Sequence, residues 1–199
     1  MRALARAIYD EHRRAWSIGD ALRLANALIE DPYLETKAVG IELVARYRRQ
    51  FTPHHLAVWK RWLAGNHSAN WATTDAICGM LIGPLLSAHP QLIPKVQAWS
   101  RHRNLWVRRA AAVSLLKPMS KGHGLDAAYA VAQELHGDGA DLIQKAVGWM
   151  LREAGKYDPT RLERYLRGHG VSIPRTTVRY AIERFPQAKR RALLAATRG

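Results

Sequence analysis

Four charged residues recur along the chain in the same sequence context and at nearly constant spacing. Each is followed by alanine and a small apolar residue, with leucine six positions further on; the four are Lys37, Asp75, Arg109 and Lys145. Their separations are 38, 34 and 36 residues. A lone carboxylate among three cations indicates either an anion that takes part in chemistry or one half of an ion pair.

Two tryptophans share the helical face of these charged residues. Trp71 lies four residues before Asp75, and Trp149 lies four residues after Lys145. Aromatic rings, cations and a carboxylate together are suited to holding a phosphate backbone and a sugar or base. Arg108 adds a second guanidinium next to Arg109. The alternative is an ion-paired ridge in which Asp75 bonds to Arg109 or Lys37, and spacing alone leaves both interpretations open.

The elements that must position this row are helices. Apolar residues recur every three or four positions, and no segment alternates with period two. Turn-forming residues divide the chain into short helices, and one of the predicted breaks is at Gly83-Pro84. In each period the patterned helix is followed by a second helix, which we predict at residues 54–63, 92–99, 125–135 and 161–166. A helix pair every 34 to 38 residues is typical of an α-solenoid.

The predicted fold is therefore an all-α solenoid of HEAT-like repeats with a concave basic groove. We predict a single domain over residues 1–199 and small residues where helices approach closely, at Gly40, Cys78, Ala112 and Gly148. The segment 176–185 is predicted as a degenerate fifth unit. The repeats fall at approximately 31–66, 67–102, 103–137, 138–170 and 171–199.

Charge indicates the class of partner. Lys and Arg number 31 against 16 Asp and Glu, a formal net charge of +15, so a polyanion is the first expectation and a generally basic surface is the alternative. The single cysteine, Cys78, lies in an apolar run and is predicted to be a packed, inert thiol. The N-terminus carries no apolar signal-peptide core, and we expect a cytoplasmic protein, nucleoid-associated when DNA-bound.

Histidines do not indicate a metal site. The chain has nine, and none of them forms a recognised ligand pair on one helix. Most stand at helix breaks, where exposed polar side chains are ordinary. We therefore expect no metal and no cofactor.

Three stretches carry a further pattern around the charged row. They are Asn-Trp-Ala-Thr-Thr-Asp at 70–75, Leu-Trp-Val-Arg-Arg-Ala at 105–110, and Leu-Ile-Gln-Lys-Ala-Val-Gly-Trp-Met-Leu-Arg-Glu at 142–153. These stretches resemble the DNA alkylation repair family of HEAT-like-repeat DNA glycosylases, the AlkD-like enzymes that remove alkylated purines. The resemblance extends over roughly residues 32–185, and the third stretch is the most specific.

The resemblance implies a site and a reaction. Trp71, Asp75, Arg109 and Trp149 match the family's catalytic and DNA-contacting residues. A purine alkylated at N3 or N7 is cationic and can leave without a general acid, so Asp75 would stabilise the sugar cation and orient water. The tryptophan faces would hold the cationic nucleotide, and Arg109 would contact a phosphate. Arg108, Lys145 and Lys37 are predicted as further DNA contacts.

The predicted function is hydrolysis of the N-glycosidic bond of alkylated purines in double-stranded DNA by a monomeric, monofunctional glycosylase. The family pattern often has an aromatic residue in place of Asn70, an acid in place of Ala72 and additional N-terminal helices, for which residues 1–30 are available. A non-catalytic DNA-binding paralogue is therefore the first alternative. A HEAT-type protein–protein adaptor is the second.

Overall fold

The computed structural model describes residues 1–198, and every regular element within that range is a helix. The predicted all-α class is confirmed. Gly199, which ends the last predicted repeat, lies outside the described residues. The α-helices are α1 (Arg2–His12), α2 (Ile18–Glu30), α3 (Leu34–Arg46), α4 (His55–Ala64), α5 (Trp71–Ile77), α6 (Gly83–Ala88), α7 (Ile93–Gln97), α8 (Leu105–Val113), α9 (Leu116–Met119), α10 (Leu125–Glu134), α11 (Asp141–Ala154), α12 (Pro159–His169), α13 (Arg175–Ala181) and α14 (Gln187–Ala196).

Helix starts are set by side chains that bond the first free backbone N–H groups. The Asn70 side chain accepts from the backbone N–H of Thr73 at the start of α5. Asn104 does the same at the start of α8, and Asp158 at the start of α12. Such caps stabilise a helix by about 1 kcal/mol each. The caps on α5 and α8 therefore fix the positions along the chain at which the helices carrying Asp75 and Arg109 begin.

The helices form two sets. The patterned helices α3, α5, α8, α11 and α13 each contact the next in chain order, so they make one continuous row. Among the helices that follow them, α7 contacts α10, and α12 contacts α14. The N-terminal helices α1 and α2 pack against α3. This arrangement is consistent with an α-solenoid, while the repeat boundaries and the HEAT-like assignment stay predictions.

The core is continuous, and small residues allow its helices to approach closely. A Cβ atom added to Gly40 would lie 3.2 Å from Leu28 Cβ, and one added to Gly148 would lie 2.8 Å from the Thr177 carbonyl oxygen. The close approaches predicted at these two glycines are confirmed. Cys78 and Ala112 are fully buried, as expected for packing residues.

The helix that carries the carboxylate does not end where the sequence predicts. A break was expected at Gly83-Pro84, but α5 continues through a π-helical turn, Cys78–Ile82, directly into α6. Proline lacks an N–H, and the wider π turn accommodates both the missing hydrogen bond and the ring. No single helix among residues 1–198 is long and apolar enough to cross a membrane. Trp71–Ala88 and Pro90–Arg101 have the length and composition of a membrane span only when taken together, and the chain bends by 113° between them.

Replacing Gly148 with alanine should destabilise the protein by about 1–3 kcal/mol, because the added methyl group overlaps α13. Gly168 is the matched control, since it also lies within a helix but nothing stands within 4 Å of an added Cβ. Gly168→Ala should leave stability unchanged or raise it by up to about 1 kcal/mol. Urea unfolding of the two variants measures the difference, and equal midpoints would contradict the close α11–α13 contact.

Candidate functional site

One open pocket brings most of the predicted site residues together. Its volume is about 320 Å³, and it lies on the row of patterned helices. Trp71 comes from α5, whereas Lys145 and Trp149 come from α11. The lining residues are Trp71, Asp75, Arg109, Leu142, Lys145, Trp149, Arg152 and Tyr180.

The centre of the pocket is a two-bond ion pair between neighbouring helices. Arg109 Nε donates to Asp75 Oδ1, and Nη2 donates to Oδ2, both at 2.8 Å. The Arg109 side chain is 7% exposed and that of Asp75 is 17% exposed. Arg109 Nη1 also donates to the Leu142 carbonyl oxygen on α11. The guanidinium therefore holds the Asp75 carboxylate in one orientation.

Asp75 therefore forms the ion pair that the sequence left as an alternative, and its partner is Arg109 and not Lys37. It does not close the carboxylate off completely. Each carboxylate oxygen can accept more than one hydrogen bond, so one pair of donors leaves acceptor capacity on both atoms. An ion pair and a functional carboxylate are thus compatible here.

The start of α5 sets the position of Trp71 and Asp75. Trp71 is the first residue of the helix and is 57% exposed. The turn before it is tightly built, because the Asn70 side chain caps α5 and also donates to the Ser68 carbonyl oxygen at 2.7 Å. Ala69 has a φ of 35°, in the left-handed region that non-glycine residues rarely occupy. The structure thus holds a strained turn next to the most exposed aromatic ring of the pocket.

Lys145 is the most accessible cation of the predicted set within the pocket. Its side chain is 41% exposed, and its Nζ lies 2.7 Å from Asp141 Oδ2, one helical turn earlier. The pKa of Lys145 is raised, chiefly by that hydrogen bond and by the charge of Asp141. Exposed pairs of this kind are weak, so the ammonium is available to a competing anion.

Two predicted DNA contacts lie outside the pocket lining. Lys37 is buried, and its Nζ donates to the carbonyl oxygens of Ile29 and His67. Burial lowers the pKa of Lys37. Arg108 Nε donates to Asp138 Oδ2 at 2.7 Å, and its Nη1 donates to two backbone carbonyl oxygens. Their DNA contacts stay predictions, and each would require these side chains to leave internal partners.

Tyr180 and Arg152 belong to the pocket, although the sequence analysis did not select them. A signal for Tyr180 was present, because Tyr180-Ala181-Ile182 repeats the alanine and small apolar residue of the pattern 35 residues after Lys145, with Pro186 in place of the leucine. Because this match begins with tyrosine and not with a charged residue, the sequence analysis did not include it in the row. Arg152 lies seven residues, two helical turns, after Lys145, and it is paired with Glu183 and Glu153.

The described residues offer neither an accessible thiol nor a group of metal-ligating side chains. Cys78 is fully buried, and burial raises the pKa of its thiol to about 12, so it remains protonated and packed as predicted. Within residues 1–198, no three His, Cys, Asp or Glu side chains group as metal ligands. A larger cavity of about 540 Å³ lies between α4 and α7, and its lining contains cations and apolar residues but no carboxylate. The smaller pocket is the one that holds Asp75 together with most of the predicted site residues.

Comparison with known proteins identifies the family. The sequence matches the family described as DNA alkylation repair enzyme over residues 1–185. The chain therefore belongs to the DNA alkylation repair enzyme family, and this membership supports a role in DNA repair with DNA as the substrate. The match begins at residue 1, so α1 and α2, which lay outside the resemblance seen in the sequence, are part of the matched region.

A solved structure shares the fold. It is a predicted DNA alkylation repair enzyme from Enterococcus faecalis, with a TM-score of 0.83 and 20% sequence identity, covering 94% of this chain and 84% of that chain. At this identity the likeness shows the architecture alone. No curated protein matches the sequence.

The energetic coupling between Asp75 and Arg109 should be large for an ion pair. A double-mutant cycle with Asp75→Asn and Arg109→Gln should give a coupling of about 1–3 kcal/mol, because both hydrogen bonds are largely removed from water. The exposed Lys145–Asp141 pair is the control, and Lys145→Gln with Asp141→Asn should give a much smaller coupling. Denaturant unfolding of the two cycles compares them; equal coupling would mean that the Asp75–Arg109 pair is solvated.

Proposed function

We propose that the protein is a DNA glycosylase that hydrolyses the N-glycosidic bond of N3- or N7-alkylated, cationic purines in double-stranded DNA. The observation that carries the proposal is a carboxylate held in one orientation in a pocket that also contains two tryptophans and an accessible lysine. In this proposal the helices form an AlkD-like solenoid of HEAT-like repeats, and the protein acts as a monomer without a cofactor. Asp75 is the proposed catalytic residue.

The proposed reaction needs an anion more than it needs an acid. As the C1′–N bond breaks, its electron pair moves to the alkylated base, which becomes neutral, and positive charge develops on the sugar. Asp75 stabilises that charge and orients a water molecule, whose oxygen then bonds to C1′ and whose proton passes to solvent. Arg109 acts as a positioning residue for Asp75, because it holds both carboxylate oxygens.

The contact with the DNA backbone is assigned to Lys145 in this proposal. The sequence predicted a phosphate contact for Arg109, but the donors of that guanidinium are directed to Asp75 and to the Leu142 carbonyl oxygen. Lys145 is exposed, cationic and bound only to an exposed carboxylate. Trp71 and Trp149 would contact the nucleotide through their rings.

A second candidate function is DNA binding without catalysis. The observation that favours it is the ion pair itself, because Arg109 partly neutralises the charge that Asp75 would present to the sugar. This alternative predicts lesion binding with no release of base. The protein–protein adaptor has no specific support in the described residues.

Excision of base from methylated DNA tests the catalytic proposal. The wild-type chain should release 7-methylguanine or 3-methyladenine, and Asp75→Asn should lower the single-turnover rate about 10²- to 10³-fold, because the amide carries no charge. Asp126→Asn is the control, since it removes an exposed carboxylate that neither lines the pocket nor bonds Lys145.

The outcomes separate the two candidate functions. Release by wild type with an unchanged rate in Asp75→Asn would remove Asp75 from the mechanism. Binding of methylated DNA by wild type without any release would favour the non-catalytic protein.

The salt dependence of DNA binding tests the backbone contact. The affinity for duplex DNA should fall steeply with salt, and Lys145→Gln should make the log–log slope shallower by about 0.9, the value for one phosphate contact. Lys121→Gln removes an exposed lysine outside the pocket and serves as the control. A shallower slope in Arg109→Gln but not in Lys145→Gln would indicate that Arg109 makes the phosphate contact. Weak binding that does not depend on salt would favour an adaptor.

A further inference from the structure

Lys37 is the member of the charged row that the proposed reaction does not use. It lies on α3 and is 7% exposed. A buried ammonium is costly unless hydrogen bonds replace its hydration. Its Nζ donates to the Ile29 carbonyl oxygen at 2.9 Å and to the His67 carbonyl oxygen. Lys37 therefore joins two other segments of the chain, the end of α2 and the turn that precedes α5.

The first of these two bonds has a firm base. Ile29 lies in the last turn of α2, where the carbonyl groups have no partner within the helix. A cation at this end also interacts favourably with the helix dipole. In addition, α2 packs closely against α3 at Gly40. The ammonium is thus anchored on one side, and its second bond acts on the turn before α5.

The α4–α5 turn (residues 65–70) is strained. Asn66 has a φ of 61° and Ala69 a φ of 35°, and in the described part of the chain these are the two non-glycine residues with positive φ. Such backbone conformations persist only where surrounding contacts hold them. His67 lies between the two strained residues, so the bond from Lys37 acts on the middle of the strained segment.

The exposed ring of Trp71 depends on this turn for its position. Trp71 is 57% exposed and begins α5, so its place is set mainly by the backbone that carries it. The turn is held by the Asn70 cap and by Asn104 on the side of α8, whose amide donates to Asn66 Oδ1 at 2.7 Å. Lys37 holds it on the side of α3. Without the ammonium the turn loses that bond, and the strained φ angles can relax.

We propose that Lys37 is a positioning residue that acts on DNA recognition through Trp71, by holding the α4–α5 turn against α3. The inference rests on the proposed function, because it takes the pocket as the DNA site. It is an alternative to the direct DNA contact predicted for Lys37, which would leave two carbonyl groups without their donor. The side chain serves recognition from inside the protein.

The position of the Trp71 ring can be measured without DNA. Fluorotryptophan labelling of the seven tryptophans gives separate fluorine NMR resonances, and Trp71→Phe assigns that of Trp71. Lys37→Met keeps the length of the side chain and removes its donors, so the Trp71 resonance should shift or broaden while that of Trp99 stays in place. Lys60→Met is the control, because the Lys60 ammonium lies 5.7 Å from the centre of the Trp99 ring and its loss should move that resonance and not that of Trp71.

A double-mutant cycle tests whether the turn affects recognition. The ligand is a duplex with one 7-methylguanine on a 2′-fluorinated sugar, because the fluorine slows cleavage of the glycosidic bond. Its affinity, measured by fluorescence anisotropy, should fall about threefold in Lys37→Met, and the same change should have a much smaller effect in the chain that carries Trp71→Ala. Lys121→Met controls for the loss of one positive charge, since Lys121 is exposed and its effect should be equal with and without Trp71.

A variant that is only destabilised gives a different result. Loss of folded protein would lower the affinity by the same factor with and without Trp71, and thermal unfolding measures that loss directly. Lys37→Gln takes the place of Lys37→Met if the methionine variant does not fold. Its amide donor is one bond shorter, so we expect it to lose at least one of the two carbonyl groups and to shift the Trp71 resonance in the same way.

The outcomes distinguish this inference from the proposed function. An unchanged Trp71 resonance in Lys37→Met, with excision by wild type, would overturn the role of Lys37 and leave the glycosylase standing. An equal loss of affinity with and without Trp71 would overturn that role as well. A shifted resonance and a Trp71-dependent loss of affinity, in a protein that releases no base, would support Lys37 and overturn the glycosylase.

Discussion

The site depends on the hydrogen bonds that the Arg109 guanidinium donates. The guanidinium joins three consecutive helices of the patterned row, because it lies on α8, bonds the carboxylate of Asp75 on α5 and donates to the Leu142 carbonyl oxygen on α11. A planar group with several donors can satisfy partners on both sides at once, which a lysine ammonium cannot do with the same fixed geometry. The orientation of the carboxylate is therefore tied to the spacing of the helices.

The same spacing explains why small residues and caps occur around the site. Gly148 allows α11 and α13 of the row to approach closely, and Gly40 allows α2 to pack closely against α3. The Asn70 cap and the strained turn at Ala69 determine where α5 begins, and hence where Trp71 is exposed. Stability and recognition are thus linked, since packing between neighbouring helices positions the groups that face the pocket.

Much of the fold and part of the site could be predicted from local sequence. Helical periodicity and the recurring alanine pattern predicted the helices and brought Asp75, Arg109 and Lys145 onto one row. Lys37 shows the limit of that reasoning, because it follows the pattern but its ammonium binds two buried carbonyl groups. The expected break at Gly83-Pro84 was also wrong, because a π turn can carry proline within a continuous helix.

The sequence by itself determined the helical class, the period of the row and the identity of its lone acid. These follow from side-chain type and from the 3.6-residue repeat, which are local properties. Only the tertiary structure decided that Asp75 pairs with Arg109, that Lys37 is turned inward and that Tyr180 joins the pocket. The Asp75–Arg109 pair and the position of Tyr180 depend on distances between helices 30 or more residues apart in the chain, and Lys37 binds carbonyl groups 8 and 30 residues away. Packing, together with the need to satisfy buried charges, selects these contacts.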